Sequence, residues 1–295
     1  MNYVDISWLW FVCLLGMCIL GVCMSGVWRM CTVHNSENQI NKCQKEALKN
    51  VMLFLGKNNL DNPNLTGRIW GILNDENIQR SINYKQSQNL KENWSQDLVG
   101  KLQRTLVNYQ LHQMKLGNPP ELFAVIKNVF DKINQNSSVV DIGCSSGYYY
   151  EIINYYFPNK FSYSGCDYNK ESIKLAKYYY PNVPFVMGDL TNMKYSNRAF
   201  DVSFLSGVIE HIPRYIQGIN ELCRITKKYI VLHRIWLTDK ETECYKGTQF
   251  FVPIIRNNYN KNDFFKMFEQ NSFRVVWISS TYDCNCNTYL IRRQY

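Results

Sequence analysis

The sequence predicts an α/β fold: a doubly wound, mainly parallel sheet with an antiparallel hairpin at one edge, preceded by an N-terminal transmembrane helix. Three observations carry this expectation. VVDIGCSSGYYY, from Val139 to Tyr150, reads as a buried strand that breaks into a glycine turn and then a helix. Downstream of it, short apolar runs alternate with amphipathic ones, the pattern of right-handed βαβ crossovers. Near the amino end, Ser7 to Trp28 contains no charged residue.

The 295 residues, 46% of them apolar, suffice for one sizeable α/β domain with an appendage and exclude a disordered chain. The formal charge of +9 permits contact with anionic partners, but Lys and Arg are spread without a dense run, so charge alone does not argue for nucleic acid. The 11 cysteines follow no small-secreted spacing, and Cys144 and Cys166 fall in apparent core segments. Buried free thiols in a reducing compartment are the expectation.

At about 1.5 Å per residue, Ser7 to Trp28 spans a hydrocarbon core of about 30 Å, with Trp8, Trp10 and Trp28 at the interfaces. Asp5 and the lack of a basic residue before the apolar run oppose a cleaved signal peptide. Arg29, Lys42 and Lys45 follow the run, so the positive-inside rule puts the long C-terminal part in the cytosol. Asn64-Leu-Thr, Asn93-Trp-Ser and Asn136-Ser-Ser are glycosylation acceptors that matter only for a luminal domain. The expected organisation is an anchor over residues 1–28, a polar helical stem or spacer over 29–96, and the α/β domain over 97–295. The stem is Asn-, Gln- and Lys-rich, with an apolar burst from Ala47 to Leu55 and tryptophans at Trp70 and Trp94.

Within the domain, Leu98, Leu102, Leu106 and Tyr109 have helical spacing, and Pro119-Pro120 opens a second amphipathic segment through Ile133. These two helices are expected to cap the ligand pocket. Gly143 and Gly147 bracket the turn, where a missing Cβ lets a ligand approach the main chain and the next helix offers its amino end. The strand in FSYSGCDYN ends in Asp167, about twenty residues beyond the glycines, where doubly wound folds put an acid for a ribose diol. The turn G-C-S-S-G lacks the close glycine spacing that seats a pyrophosphate, so a nucleoside without phosphates fits better. There follow a helix from Lys170 to Tyr179, strands from Phe185 to Gly188 and Phe200 to Leu205, a helix from Arg214 to Ile225 and a strand from Tyr229 to Leu237. Thr238 to Tyr259 reads as an irregular insert, a natural lid carrying Tyr245, Gln249, Phe250 and Phe251. Lys261 to Gln270 is a short helix, and Phe273 to Ser280 with Thr288 to Arg293 form the closing hairpin.

DIGCSSG, CDYN, MGDL and FDVSFLSGVIEHI occur in an order and spacing that resembles the class I methyltransferases dependent on S-adenosylmethionine, in their type 11-like small-molecule group, over Pro119 to Tyr295. Ser145 stands where many members have a glycine. The resemblance implies a Rossmann-like domain with S-adenosylmethionine as cofactor. It assigns Gly143, Cys144, Ser145 and Gly147 to the methionine portion, Asp141 to the turn and the cofactor amino group, and Asp167 to the ribose, with Tyr168 also among the cofactor-binding residues. Asp189 and Leu190 go to the adenine, and Ser206 to the methyl side. Methyl transfer is an in-line displacement, so positioning is the main task and a base is optional. His211 is the candidate base; His233 and Arg234 are given supporting roles. The plainer alternatives are a helix-start acid for Asp167, a turn residue for Asp189 and a packing ring for His211. Cys284 and Cys286 form only a C-x-C pair, so no metal site is expected.

The function expected from this is a membrane-anchored methyltransferase for a small-molecule or lipid-linked acceptor, methylating oxygen, nitrogen or carbon. A non-catalytic binding protein of the same fold is the rival. A nucleic-acid methyltransferase is less favoured, because Asn118-Pro119-Pro120 is followed by Glu121 instead of an aromatic residue and serves as a helix start.

Overall fold

A seven-stranded sheet organises the domain. The computed structural model describes residues 79–80, 90–250, 252–281 and 286–295, all within the unit Leu55–Tyr295. The expected anchor from Ser7 to Trp28, the apolar burst before residue 56, Trp70 and Cys284 lie outside the described residues. No helix among the described residues is long and apolar enough to cross a membrane.

In chain order the strands of this sheet are β2 (Ser138–Ile142), β3 (Ser162–Asp167), β4 (Phe185–Met187), β5 (Phe200–Ser206), β6 (Thr226–Ile235), β10 (Phe273–Thr281) and β11 (Cys286–Arg293). Their spatial order is β10-β11-β6-β5-β2-β3-β4. β4, β3, β2, β5 and β6 are mutually parallel, while β11 and β10 run antiparallel at the edge. The chain builds outward from β2 to β4, then crosses to β5 on the other side. The glycine turn after β2 therefore lies where the strand order reverses, the place such sheets use for ligands.

Helices α1 (Asp97–Lys115), α2 (Glu121–Phe130), α3 (Tyr148–Tyr156), α4 (Lys170–Tyr179), α5 (Tyr215–Ile225) and α6 (Lys261–Gln270) cover the sheet. The period-2 alternation of strands divides the core. Val139, Phe204, Val231 and Leu290 pack in one apolar cluster with α1 to α4. Their neighbours Val140, Leu205, Leu232 and Ile291 pack in the other with α5 and α6. Local chemistry sets the helix starts: Asn169 accepts the Ser172 N–H at 2.9 Å, and Asn260 accepts those of Asn262 and Asp263, satisfying otherwise orphaned donors.

The region expected to be an irregular lid is largely strand. β8 (Glu243–Gln249) and β9 (Val252–Asn260) form an antiparallel pair within a second sheet of order β1-β8-β9-β7, with β1 at Gln79–Arg80 and β7 at Leu237–Thr238. The alternation that marks β9 is disguised because an inward position is polar. Asn257 is buried and donates to the carbonyls of Glu210 and Ile212. β6 also ends at Ile235, two residues before the expected limit, with Trp236 separating it from β7.

Two further expectations need correction. Residues 79–80 and 90–96 pair or bond with this domain, so it reaches back beyond residue 97 into the segment read as a spacer. Cys144, Cys166, Cys223 and Cys244 are free thiols, but Cys286 is disulfide-bonded, with its partner outside the described residues.

Phe204 is fully buried, with ring centroids 4.8 Å from Tyr149 and 5.9 Å from Phe130. Phe204→Ala removes that packing at the sheet centre and leaves a cavity. Chemical denaturation is expected to read a loss of about 3–5 kcal/mol; a loss under about 1 kcal/mol would contradict the packing described.

Candidate active site

Four strand ends converge on the carboxyl edge of the sheet. β2 runs into Gly143 (φ 74), Ser145 (φ 49) and Gly147 (φ 75), three left-handed residues within five. A Cβ on Gly143 would stand 2.4 Å from Val208 Cγ2, and one on Gly147 2.7 Å from Phe185 Cζ, so both positions require glycine on steric grounds as well. The turn is held to the end of β3. The Cys166 carbonyl accepts the N–H groups of Gly143 and Cys144, and the Asp167 carboxylate accepts that of Ser145 at 2.8 Å. The turn's N–H groups are thus largely satisfied within the protein. Ser145 Oγ also donates to Gln103 Oε1 on α1 at 2.7 Å, which brings the first cap helix over the turn.

Asp141 lies inside β2, 1% exposed, with Oδ2 accepting the Tyr163 hydroxyl and Oδ1 buried without a partner. Burial is the largest influence on it and pushes its carboxyl up to about 8. Asp167 is also pushed upward by burial, opposed by the backbone N–H groups of Asn169 and Ser145. Asp189 behaves differently. Burial raises it, but Lys91 Nζ at 2.5 Å and Thr191 together lower it. Cys144 is buried, and burial raises its thiol well above the ordinary range. Leu190 is buried near Gly218 of α5, so its side chain supports the edge from below.

Sequence reasoning did not identify the segment that lies over this edge. Residues 90–96 include a 3₁₀ turn at Glu92–Ser95. The Tyr168 hydroxyl donates to the Lys91 carbonyl, and Asn169 Nδ2 donates to the carbonyls of Trp94 and Gln96. Trp94 packs on His211 at 4.6 Å and on Phe250 at 6.2 Å between ring centroids. Beside it, Lys91, Asp189, Thr191, Pro213 and Arg214 line a cleft of about 260 Å³. Nothing in the polar run before residue 97 marks these contacts except Trp94 itself.

Ser206 ends β5, its Oγ 2.6 Å from the Tyr149 hydroxyl. The turn that follows carries Glu210 and His211. His211 Nδ1 donates to the Ile255 carbonyl at 2.7 Å, and burial pushes its pKa down to about 3. Burial on this scale weakens the ring as a general base, and it packs against Trp94 and bonds β9. Glu210, 6% exposed with Oε2 unpartnered, is pushed up to about 7 by burial. Asp141, Asp167, Asp189, Ser206 and the glycine turn are therefore brought to one edge, whereas Leu190 and His211 are engaged in packing.

These shifts have a definite sign in stability. The folded protein keeps the Asp141 proton that the unfolded chain releases near pH 4, so this contribution is lost as pH rises from about 4 to about 8. His211 acts oppositely, adding stability as pH rises from about 3 to about 6.5. Glu210, pushed up to about 7, acts in the same direction as Asp141, its contribution being lost from about pH 4.5 through about pH 7. Denaturation of the ligand-free protein at pH 7, 7.5 and 8 is expected to read falling stability, with a slope of at most about 1.4 kcal/mol per pH unit from Asp141. Asp141→Asn should reduce that slope and leave the smaller part due to Glu210; an unchanged slope would remove Asp141 as a source.

A family model described as a methyltransferase domain matches residues 140–231. The demethylmenaquinone methyltransferase of Paenarthrobacter aurescens is 29% identical over 62 residues, 21% of this chain, and the match spans only 24% of that relative's length. The solved 1,6-didemethyltoxoflavin-N1-methyltransferase of Burkholderia thailandensis shares the fold, with a TM-score of 0.50 and 11% identity over 73% of this chain and 92% of its own. An S-adenosylmethionine-dependent methyltransferase from Methanosarcina mazei gives a TM-score of 0.47 and 15% identity, over 56% of this chain and 96% of its own. Residues 140–231 of this chain are thus similar to a methyltransferase domain.

Proposed function

We propose that this protein transfers the methyl group of S-adenosylmethionine to oxygen, nitrogen or carbon of a small-molecule or lipid-linked acceptor, and that Ser7 to Trp28 holds it at a membrane with the domain in the cytosol. One observation carries the cofactor part. Asp141 Oδ1 is a buried carboxyl oxygen without a partner, two residues before Gly143 in β2, and once ionised a buried carboxylate of this kind calls for a donor. The cofactor's ammonium group is such a donor. Asp167, bonded to backbone N–H groups through both oxygens, keeps spare lone pairs for a diol. When bound, the cofactor supplies an electrophilic methyl on a cationic sulfur.

The chain's own residues then do three things. The glycine turn and the acids at the ends of β2 and β3 orient the cofactor. Trp94, His211 and Phe250 exclude water from the edge. Ser206, held by Tyr149, borders the place where the acceptor must stand in line.

Calorimetric titration of the full-length chain in detergent should read saturable binding of S-adenosylmethionine and S-adenosylhomocysteine. Asp167→Ala should weaken both by about tenfold or more, and Gly143→Ala should abolish binding. A folded wild-type chain that binds neither ligand would end this reading.

The cytosolic placement rests on Arg29, Lys42 and Lys45 after the apolar run. A luminal domain is the second reading, favoured by the Cys286 disulfide, since such bonds persist in oxidising compartments. Asn136 is exposed and within an acceptor motif, so it reports the side. For the chain expressed in eukaryotic cells, a peptide N-glycosidase digest is expected to leave its gel mobility unchanged. A shift would place the domain in the lumen.

A further inference from the structure

The fold gathers onto one face lysines that are scattered in the sequence. α4 reads KESIKLAKYY, and Lys170, Lys174, Lys177 and Tyr178 recur at i, i+4, i+7 and i+8, one stripe of a helix. All four are exposed, Tyr178 by 77%, while Ile173 and Ala176 on the inner side pack in the apolar cluster below. α1 lies alongside. Its Lys101 pairs with Glu171 of α4 at 3.6 Å, and its last residue, Lys115, shares a cleft of about 450 Å³ with Arg104, Glu151 and Tyr179.

The carboxylates on this face sit inward and the ammonium groups outward. Glu171, 13% exposed, meets Lys101 and Lys174, which are 48% and 78% exposed. Glu151, 20% exposed, meets Lys115, which is 59% exposed. Lys170 and Lys177 form no ion pair among the described residues. On α1 and α4 the one exposed acid is Asp97. The layer that meets solvent is therefore cationic, and its complement is an anionic surface.

Three properties select a bilayer over a nucleic acid as that surface. The outward cations are all lysines, whereas Arg104, the one guanidinium on either helix, is 7% exposed and stacked 3.7 Å from the Tyr179 ring centroid. The planar fork used on nucleic acids is thus turned inward. A lysine stripe ending in an exposed tyrosine suits the headgroup layer, where apolar stems and amphipathic rings settle. The same chain carries the charge-free run Ser7 to Trp28, and a tethered domain needs only weak attraction to stay docked.

We propose that the outward face of α4, bordered by Lys101 and Lys115 of α1, docks on the anionic surface of a bilayer. Lys170 lies three residues beyond Asp167, so the docked helix brings the carboxyl edge of the sheet beside the headgroups. The tether, but not the cationic face, rests on the anchored reading above.

The test places the full-length chain in nanodiscs of phosphatidylcholine, alone or mixed with phosphatidylserine, and reads lysine acetylation by mass spectrometry. Lys170, Lys174 and Lys177 should react about threefold or more slowly in the anionic discs, and about 1 M salt should remove that protection. Lys261 and Lys266, exposed on α6 across the sheet, should react equally in both. Lys170→Gln combined with Lys177→Gln should weaken the protection left at Lys174. The proposal is overturned if the three lysines react equally in both discs, if Lys261 and Lys266 are protected as strongly, or if single-stranded RNA protects the three and anionic discs do not. A chain that does not enter phosphatidylcholine discs would instead remove the anchor. Flotation with phosphatidylserine vesicles then decides the docking face: salt-sensitive binding upholds it, and no binding overturns it.

Discussion

The junction between the glycine turn and the end of β3 is the constraint on which the site depends. Three residues of the turn are left-handed, and one of them, Ser145, has a Cβ. That conformation costs a non-glycine residue about 1–2 kcal/mol, so the turn needs outside support. It comes from the Cys166 carbonyl and the Asp167 carboxylate, which together accept the N–H groups of Gly143, Cys144 and Ser145. The close approach requires space as well as hydrogen bonds. Gly165 on β3 provides it, because a Cβ there would meet Phe185 at 2.7 Å and Cys144 at 3.0 Å. One acid therefore braces the turn and still has oxygens for a ligand, and its two duties explain why it is only partly buried.

From that junction, support extends outward to residues 90–96. Asn169 caps α4 with its oxygen and ties Trp94 and Gln96 with its nitrogen. Lys91 ends on Asp189, whose other oxygen already accepts from Thr191. A ligand that uses the Asp189 carboxylate has to share it with Lys91 or displace it. Both side chains are partly exposed, where an ion pair is worth about 1 kcal/mol or less. The Lys91 contact is therefore only a small obstacle to a ligand at Asp189.

Much of this was legible in the sequence because the relevant signals are local. The strand, glycine turn and helix after Val139 follow from steric needs within a dozen residues. Lys170–Tyr179 and Lys261–Gln270 have the predicted bounds because each is preceded by an asparagine cap and ends where its amphipathic pattern ends. What escaped depends on distant partners. β9 was hidden by Pro253 and by the inward-facing Asn257, whose burial is compensated by carbonyls more than forty residues away in sequence. Lys91 acquires its place from Tyr168 and Asp189, and Trp94 from Asn169, His211 and Phe250, and no pattern around residue 90 encodes that. His211 was legible as a residue near the methyl side, but its proton affinity is set by burial under Trp94 and by the Ile255 carbonyl.

The electrostatics of the acceptor side follow from the same packing. Burial pushes two histidines at or beside the ends of β5 and β6 downward, which favours their neutral forms near neutral pH. Glu210, pushed up to about 7, exchanges a proton there more readily, and Ser206 and Tyr149 share one hydrogen bond. The Arg234 guanidinium beside Gly207 can bind and orient but does not accept protons. A site so composed is suited to holding an acceptor in line and leaves little capacity for deprotonating a weakly acidic one. Positioning, which supplies much of the barrier reduction in a displacement, is therefore the contribution that this arrangement of residues is built to make.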